Sequence, residues 1–223
     1  MIGPALAVLL LAAVGTGAGA AENVMLNPSA EEVTDTGGLP GWGLYLGAGG
    51  ATLERSAECA HEGSYSACLE LMKWWTPPGQ EDTPANHSIN VGIMLGESDG
   101  YRPGKTMACQ PGVTYAFSFW YRGEVSPVRL SVVGWPSEEA DSRQRLYATV
   151  LGGSIDPADE WRRCSGTFRA RPDMTRFAIM VSVVGKQEEG ATLGKLCLDD
   201  VHIMPKTFPD GELRGVWGGV TAT

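Results

Sequence analysis

The sequence predicts an all-β protein, a two-sheet antiparallel β-sandwich of the jelly-roll type. Three observations support this fold class. Short runs of residues alternate between apolar and polar types, which is typical of half-buried strands. Turn-forming glycine and proline separate these runs, and the chain contains 30 glycines and 14 prolines. Helical periodicity is nearly absent after residue 21. About ten or eleven strands in roughly 200 residues fit two sheets packed face to face.

The predicted strands follow one another along most of the chain. The clearest is 113–122, where Tyr115, Phe117, Phe119 and Tyr121 share one face and form its predicted core side. A long turn-rich stretch, 73–105, contains one of the strands and is a candidate for function because long loops in compact domains often are functional. The strands are predicted at 24–26, 43–46, 51–56, 64–72, 89–95, 113–122, 128–135, 145–151, 161–168, 177–185 and 196–203.

Residues 1–20 are predicted to be a signal peptide rather than part of the fold. An apolar run at 5–14 is followed by small residues, and Ala18-Gly19-Ala20 fits the cleavage pattern. The run is too short to span a bilayer, and no basic residue precedes it, so a retained N-terminal anchor is the alternative. We therefore expect a secreted or extracytoplasmic protein, in the periplasm or at the cell surface. Its β-sandwich domain would cover 21–205 and a tail 206–223.

The net charge and the cysteines limit which binding partners and which disulfides the protein can have. The net charge of −9 argues against nucleic acid, which requires clustered Lys and Arg. No second apolar run reaches transmembrane length. Export permits disulfides, and the odd number of cysteines leaves at least one unpaired. Either Cys109–Cys164 or Cys68–Cys197 is a candidate pair, buried free cysteines are the other reading, and Cys59 completes the five.

No catalytic motif is present. The three histidines, His61, His87 and His202, lie in unrelated contexts, and neither a nucleophile elbow nor a phosphate loop occurs. A glycosidase carboxylate pair remains open because acidic residues are plentiful, yet nothing nominates two of them. The sequence thus favours a binding protein over an enzyme.

Acidic residues at the two ends of the domain form a candidate cation site. Glu31 leaves the first predicted strand, and Asp199 lies in the last. Main-chain carbonyls near Gly63 could complete the six to eight oxygens that calcium prefers. On spacing alone, solvated or capping carboxylates are the favoured interpretation.

Six motifs in order resemble one family. The chain is similar to carbohydrate-binding modules of the cellulose- and xylan-binding type, families 4, 9 and 22, with a galactose-binding-like jelly roll. Ala30 departs from the pattern, which has an aromatic there, and the 74–105 insertion and five cysteines are further departures. The motifs are N-V-M-L-N-P-S-A-E at 23–31, G-W at 41–42, A-H-E-G-S-Y-S at 60–66, P-G-V-T-Y-A-F-S-F-W-Y-R at 111–122, the W-to-F stretch at 161–168 and D-D-V-H-I at 199–203.

The resemblance implies a structural Ca²⁺ held by Glu31, Asp199 and main-chain oxygen near Gly63. It also implies a carbohydrate ligand, a polysaccharide or glycan, that stacks on aromatic side chains. Two other functions stay open: an envelope or matrix scaffold that binds other envelope proteins on the same fold, and a small secreted glycoside hydrolase. The candidate ligand-binding residues are Trp74, Trp75, Trp120, Arg122 and Trp135.

Overall fold

A computed structural model describes the backbone of residues 22–206 and 221–222, with side chains except at 149–153 and 221–222. The predicted signal peptide, 1–20, and most of the predicted tail, 207–220, lie outside the described residues. Within the described ranges, no helix is long and apolar enough to cross a membrane.

Twelve strands are described, most of them close to their predicted positions. Two 3-10 helices of three residues, Ser142–Gln144 and Gln187–Glu189, join some of them. The strands are β1 (Trp42–Ala48), β2 (Gly50–Ser56), β3 (Ser66–Lys73), β4 (Ser88–Leu95), β5 (Met107–Ala108), β6 (Thr114–Gly123), β7 (Val128–Trp135), β8 (Leu146–Ile155), β9 (Ala158–Arg169), β10 (Arg176–Lys186), β11 (Gly194–Pro205) and β12 (Thr221–Ala222).

The strands form two antiparallel sheets, which confirms the predicted sandwich. The sheet named here the β4 sheet has the order β1-β4-β10-β7-β8, and β5 also pairs with β10. The β6 sheet has the order β12-β9-β6-β11-β3-β2. Neighbouring strands in both sheets are mostly far apart in sequence, so the chain crosses between the sheets repeatedly, as a jelly roll requires.

The core lies between the sheets. Tyr115, Phe117, Phe119 and Tyr121 are all buried, as the alternation in β6 predicts. The ring of Phe168 lies 5.4 Å from that of Tyr115 (between centroids). Phe177 of β10, in the other sheet, lies 5.3 Å from Tyr115 and 5.0 Å from Phe168 between ring centroids, so buried aromatic packing joins the two sheets.

The first predicted strand, 24–26, is not a strand in the structure. Instead, the side chain of Asn23 holds the segment against β11: its Nδ2 donates to Val201 O at 2.8 Å, and Ile203 N donates to its Oδ1 at 2.9 Å. Asn27 and Ala30 then adopt positive φ angles of 49° and 54°. Such left-handed residues turn the chain and interrupt strand pairing. The two ends of the domain therefore meet through the Asn23 side chain and two separate main-chain bonds, from Val24 N to Ile203 O and from Val201 N to Pro28 O.

The disulfide differs from both candidate pairs. Cys59 is bonded to Cys197, whereas Cys68, Cys109 and Cys164 are free. The reason is the turn at 57–65, which brings Cys59 to a sulfur that the ladder places opposite Cys68. Strand patterns in the sequence do not show which cysteine such a turn brings to Cys197.

Candidate functional site

The structure separates the predicted ligand-binding residues into three places. Trp74 and Trp75 line one surface cleft. Trp120 and Arg122 lie on the outer face of β6, opposite its core side chains. Trp135 lies at the end of β7. Only the first place joins two of the predicted aromatic residues in a concave site.

The tryptophan cleft lies where the chain leaves β3 and crosses to β4. Main-chain hydrogen bonds between Trp75 and Ser88, 2.9 and 3.0 Å long, hold its position. The side chains of Trp75 (43% exposed) and Met72 (57% exposed) offer apolar surface to solvent. The cleft encloses about 510 Å³ and is lined by Met72, Lys73, Trp74, Trp75, Thr76, Asp82, His87 and Leu193.

A hydrogen-bonded histidine orders one wall of this cleft. The imidazole of His87 stacks parallel to Trp74, with centroids 6.1 Å apart. Its Nε2 lies 2.6 Å from Asp82 Oδ1 and its Nδ1 2.6 Å from Gln187 Oε1. The bond to Asp82, and secondly that to Gln187, raises the pKa of His87. The bond from His87, assisted by Thr76, lowers the pKa of Asp82.

These bonds leave the cleft suited to binding. The Trp74 side chain packs against the core cluster, so it forms a fixed wall of the cleft. The Trp75 side chain forms an exposed wall. Asp82 is the one carboxylate among the lining side chains, and its Oδ1 already contacts His87 and Thr76. A flat apolar surface with polar groups at its rim can take up an amphipathic ligand.

Trp120 is half-buried beneath the 57–65 turn. His61 stacks on its ring with centroids 4.2 Å apart and planes 19° apart, and Trp161 meets His61 edge-on at 5.4 Å. One face of the Trp120 indole is therefore already occupied. Arg122 is exposed but lines a different cavity of about 230 Å³, beside the disulfide.

The predicted role of Trp135 is wrong. Its ring does point away from the sandwich core, as the alternation predicts, but it is 0% exposed. It packs in a second apolar cluster with Tyr45, Met94 and Ala140, and its Nε1 donates to Tyr101 O at 3.3 Å. Loops that cover this face of the β4 sheet leave the indole no surface for a ligand.

A further exposed aromatic group on the β4 sheet was not among the predicted ligand-binding residues. Tyr147 is 47% exposed and lies opposite the outward-facing Val133. The guanidinium of Arg145 lies 5.1 Å from its ring centroid and 5.4 Å from that of Tyr101. The alternation in β8 could have placed Tyr147 on the outer face, whereas the approach of Tyr101 depends on the tertiary fold.

The structure brings the predicted calcium residues to one turn. Oε1 of Glu31 accepts hydrogen bonds from Ser64 N at 2.7 Å and Tyr65 N at 3.0 Å. Gly63 has φ of 68°, and a Cβ there would collide with Oε1 of Glu31. Glycine at this position thus meets two requirements, the left-handed conformation and the close approach of the carboxylate.

Asp199 contacts the same turn from β11 and is 0% exposed. Its Oδ2 accepts from His61 N at 2.8 Å and Glu62 N at 3.1 Å, and its Oδ1 accepts from Asp200 N at 2.7 Å. Burial raises the pKa of Asp199, although these three main-chain bonds act in the opposite direction. A nearby cation would favour the ionised form of this carboxyl group.

The donor set is compatible with a hard cation. Glu31 and Asp199 supply carboxylate oxygen beside the 61–65 turn, and no hydrogen bond reaches Oε2 of Glu31 from the described residues. Ligand atoms of His61, Glu62 and Asp200 also lie within 4.8 Å of one another. Main-chain N–H groups already neutralise part of the charge, so the turn is held without an ion.

No family model matches the sequence, and no curated protein matches it. Among solved structures, the chain is similar to the enzymatically active domain of tailspike protein 4 from bacteriophage CBA120, with a TM-score of 0.52 and 13% identity. That match covers 82% of this chain but 21% of the phage chain, so this chain spans about a fifth of its length. This similarity shows a shared fold.

Two smaller structures are similar over almost their whole length. One is described as CBM4, with a TM-score of 0.49, 15% identity and coverage of 82% of this chain and 99% of that one. The other is a CBM22-1 xylan-binding domain from Paenibacillus barcinonensis, with a TM-score of 0.49, 15% identity and coverage of 85% and 97%.

Proposed function

We propose that this protein is a secreted, non-catalytic carbohydrate-binding module that takes sugar rings into the tryptophan cleft. The observation that carries the proposal is the pairing there of the exposed Trp75 indole with the fixed Trp74 indole, beside polar groups. A sugar ring has a flat C–H face that an indole can cover, and hydroxyl groups that need hydrogen-bond partners. Lys73, the Thr76 hydroxyl and Oδ2 of Asp82 belong to the lining side chains and can supply them.

The motif order at 23–203 supports the same proposal, since it resembles modules that bind plant polysaccharides. The predicted signal peptide supports an extracytoplasmic location, where such ligands occur. A poly- or oligosaccharide would extend past the cleft, because about 510 Å³ accommodates only a small part of a polymer.

The chemistry of the cleft supports a binding role without turnover. Glycoside hydrolysis generally needs two carboxyl groups on opposite sides of the scissile bond. The described lining supplies one, Asp82, whose Oδ1 faces His87. The hydrolase alternative would require a second carboxylate facing Asp82 across the bound sugar.

We propose further that Ca²⁺ binds beside Glu31 and Asp199, with main-chain oxygen near Gly63. The ion would neutralise the buried Asp199 carboxylate and so add to the stability that the hydrogen bonds already provide. At a free concentration of 100 times its Kd, such an ion stabilises by about 2.7 kcal/mol. Millimolar calcium should therefore raise the thermal midpoint above that in chelator by ~5–11 °C. Equal midpoints in both buffers would eliminate the calcium site.

Trp75→Ala tests the sugar site. Covering ~60–100 Å² of indole is worth about 1.5–2.5 kcal/mol, so Kd should rise ~10- to 70-fold. Affinity electrophoresis through gels that contain cellulose derivatives, xylan or galactan identifies the ligand, and calorimetry with its oligosaccharides measures the change. Trp75→Tyr, which keeps an aromatic ring, should retain most of the affinity.

Tyr147→Ala is the matched control, because Tyr147 is exposed to a similar extent but lies on the outer face of the β4 sheet. Unchanged affinity in Tyr147→Ala with loss in Trp75→Ala supports the cleft. The opposite result would move the sugar to the patch of Tyr101, Arg145 and Tyr147. Failure of the wild type to bind any glycan would favour the scaffold alternative.

A further inference from the structure

A third cysteine lies against the disulfide. The Sγ of Cys68 is 3.1 Å from the Sγ of Cys197, which is itself bonded to Cys59. Cys68 and Cys197 are directly opposite in the β3–β11 ladder, whereas Cys59 belongs to the turn that follows β2. The three sulfurs lie within 4.8 Å of one another. Cys197 is therefore within reach of two bonding partners.

Of the three cysteines, Cys59 is the most exposed, and it lies at a surface cavity. Cys59 and Cys197 line the cavity of about 230 Å³, together with Arg122 and Lys195. Cys59 is half-buried, while Cys68 is buried. The Oγ of Ser66 lies 3.3 Å from the Sγ of Cys59 and can donate a hydrogen bond to a thiolate there.

We propose that Cys59, Cys68 and Cys197 form an internal thiol–disulfide exchange site that presents Cys59 as a reactive thiol in this cavity. The thiolate of Cys68 attacks the Sγ of Cys197, and a Cys68–Cys197 bond forms as the Cys197–Cys59 bond breaks. Cys59 leaves as a thiolate and takes up a proton, which replaces the one that Cys68 released to solvent. One disulfide is exchanged for another, so no oxidant or reductant is needed.

Both pairings are compatible with the fold. Residues directly opposite in an antiparallel ladder have Cβ atoms about 4.5–5.5 Å apart, and a disulfide requires about 3.5–4.5 Å. A small closure between β3 and β11 is enough. After exchange, hydrogen bonds to Glu31 and Asp199 still hold the 61–65 turn, so the release of Cys59 does not require the domain to unfold.

The exchange should be slow at neutral pH and accelerate with base. Burial raises the pKa of Cys68 to about 11. The nearby Lys195 lowers this pKa, and the carboxylates Glu70, Glu58 and Glu54 raise it further. Since the thiolate is the nucleophile, about one Cys68 in 10⁴ is reactive at pH 7 and about one in 10² at pH 9. The rate should thus increase about tenfold per pH unit below pH 11.

Alkylation of the full-length, oxidised protein tests the proposal. The protein is incubated with iodoacetamide at pH 7 and at pH 9, quenched with acid and analysed by peptide mapping without reduction. We expect label to accumulate on Cys59 about 100-fold faster at pH 9, together with a Cys68–Cys197 cross-linked peptide. Absence of label on Cys59 at pH 9, where Cys59 stays bonded to Cys197, would overturn the proposal.

Three variants separate exchange within the chain from other routes. Cys68→Ser should abolish the labelling of Cys59, whereas Cys164→Ser, which removes a buried free cysteine, should leave it unchanged. Labelling of Cys59 that persists in Cys68→Ser would contradict thiol–disulfide exchange through Cys68. In Cys59→Ser, air oxidation should produce the Cys68–Cys197 disulfide, and two free thiols at those positions would also refute the site.

Discussion

Replacing Glu31 with Ala removes the carboxylate that joins the N-terminal segment to the 61–65 turn. Oε1 of Glu31 accepts the main-chain N–H groups of Ser64 and Tyr65 at 2.7 and 3.0 Å. The main-chain carbonyl of Glu31, which accepts a hydrogen bond from Arg55 Nη1, is unaffected. The substitution therefore deletes two charge-assisted bonds and leaves the neighbouring contacts in place.

The expected loss is about 2 kcal/mol. A hydrogen bond to a charged group contributes about 1.5–3 kcal/mol, and exposure of Glu31 to solvent reduces this to roughly 1 kcal/mol for each bond. In a domain of this size, 1 kcal/mol lowers Tm by about 2–4 °C, so Glu31→Ala should lower Tm by ~4–8 °C. Glu31→Gln keeps a neutral acceptor and should lose about half as much.

Thermal unfolding followed by circular dichroism in excess chelator measures this loss without a contribution from bound cation. Glu32→Ala is the matched control, because the adjacent Glu32 side chain makes no hydrogen bond or ion pair with the described residues. If Glu31→Ala melts within 1 °C of Glu32→Ala, the two hydrogen bonds do not join the ends of the domain, and the reasoning fails.

Three further predictions concern the cleft, the packing of β1 and the second apolar cluster. Because the pKa of His87 in the folded protein is raised above its ordinary 6.5 by the bond to Asp82, the stabilisation from this pair should be complete below about pH 6.5, for as long as Asp82, with an ordinary pKa of 3.8, stays ionised. It should be lost as pH rises through the higher folded value. A ¹H–¹⁵N imidazole titration with a midpoint at or below 6.5 would contradict this. Gly43→Ala should lower the urea midpoint by ~1–2 M, since a Cβ there would collide with the main chain of Ser98; an unchanged midpoint would show that β1 can shift. Trp135→Ala should cost about 3–5 kcal/mol in urea unfolding, and a loss under 1 kcal/mol would mean that its cluster is not tightly packed.

Much of the fold can be predicted because strand periodicity is local. The alternation in β6 assigns Phe119 to the core and Trp120 to the outer face, and both assignments hold in the structure. The strand predicted at 128–135 has the same bounds as β7 in the structure. The segments that escaped prediction, β5 and β12, contain two residues each, which is too short for a period-two pattern to be visible.

The candidate site was predictable only in part. Trp74 and Trp75 adjoin in sequence, so their common location follows from the chain itself. Trp120 and Trp135 both point outward, yet one is covered by His61 and the other by a loop that carries Tyr101. Whether an outward-pointing tryptophan is covered depends on segments that are far away in sequence. No local sequence pattern indicates this.

The sequence by itself determined most of the strands, their inward and outward faces and the meeting of the two ends of the domain. These properties follow from period-two alternation, from turn chemistry and from the few polar side chains at the ends. The tertiary structure alone decided which outward tryptophans stay accessible and which cysteine bonds to Cys197. Both depend on where the 57–65 turn and the long loops come to rest, and that is set by contacts such as those from Asp199 to the turn, 137 and 138 residues apart in the chain.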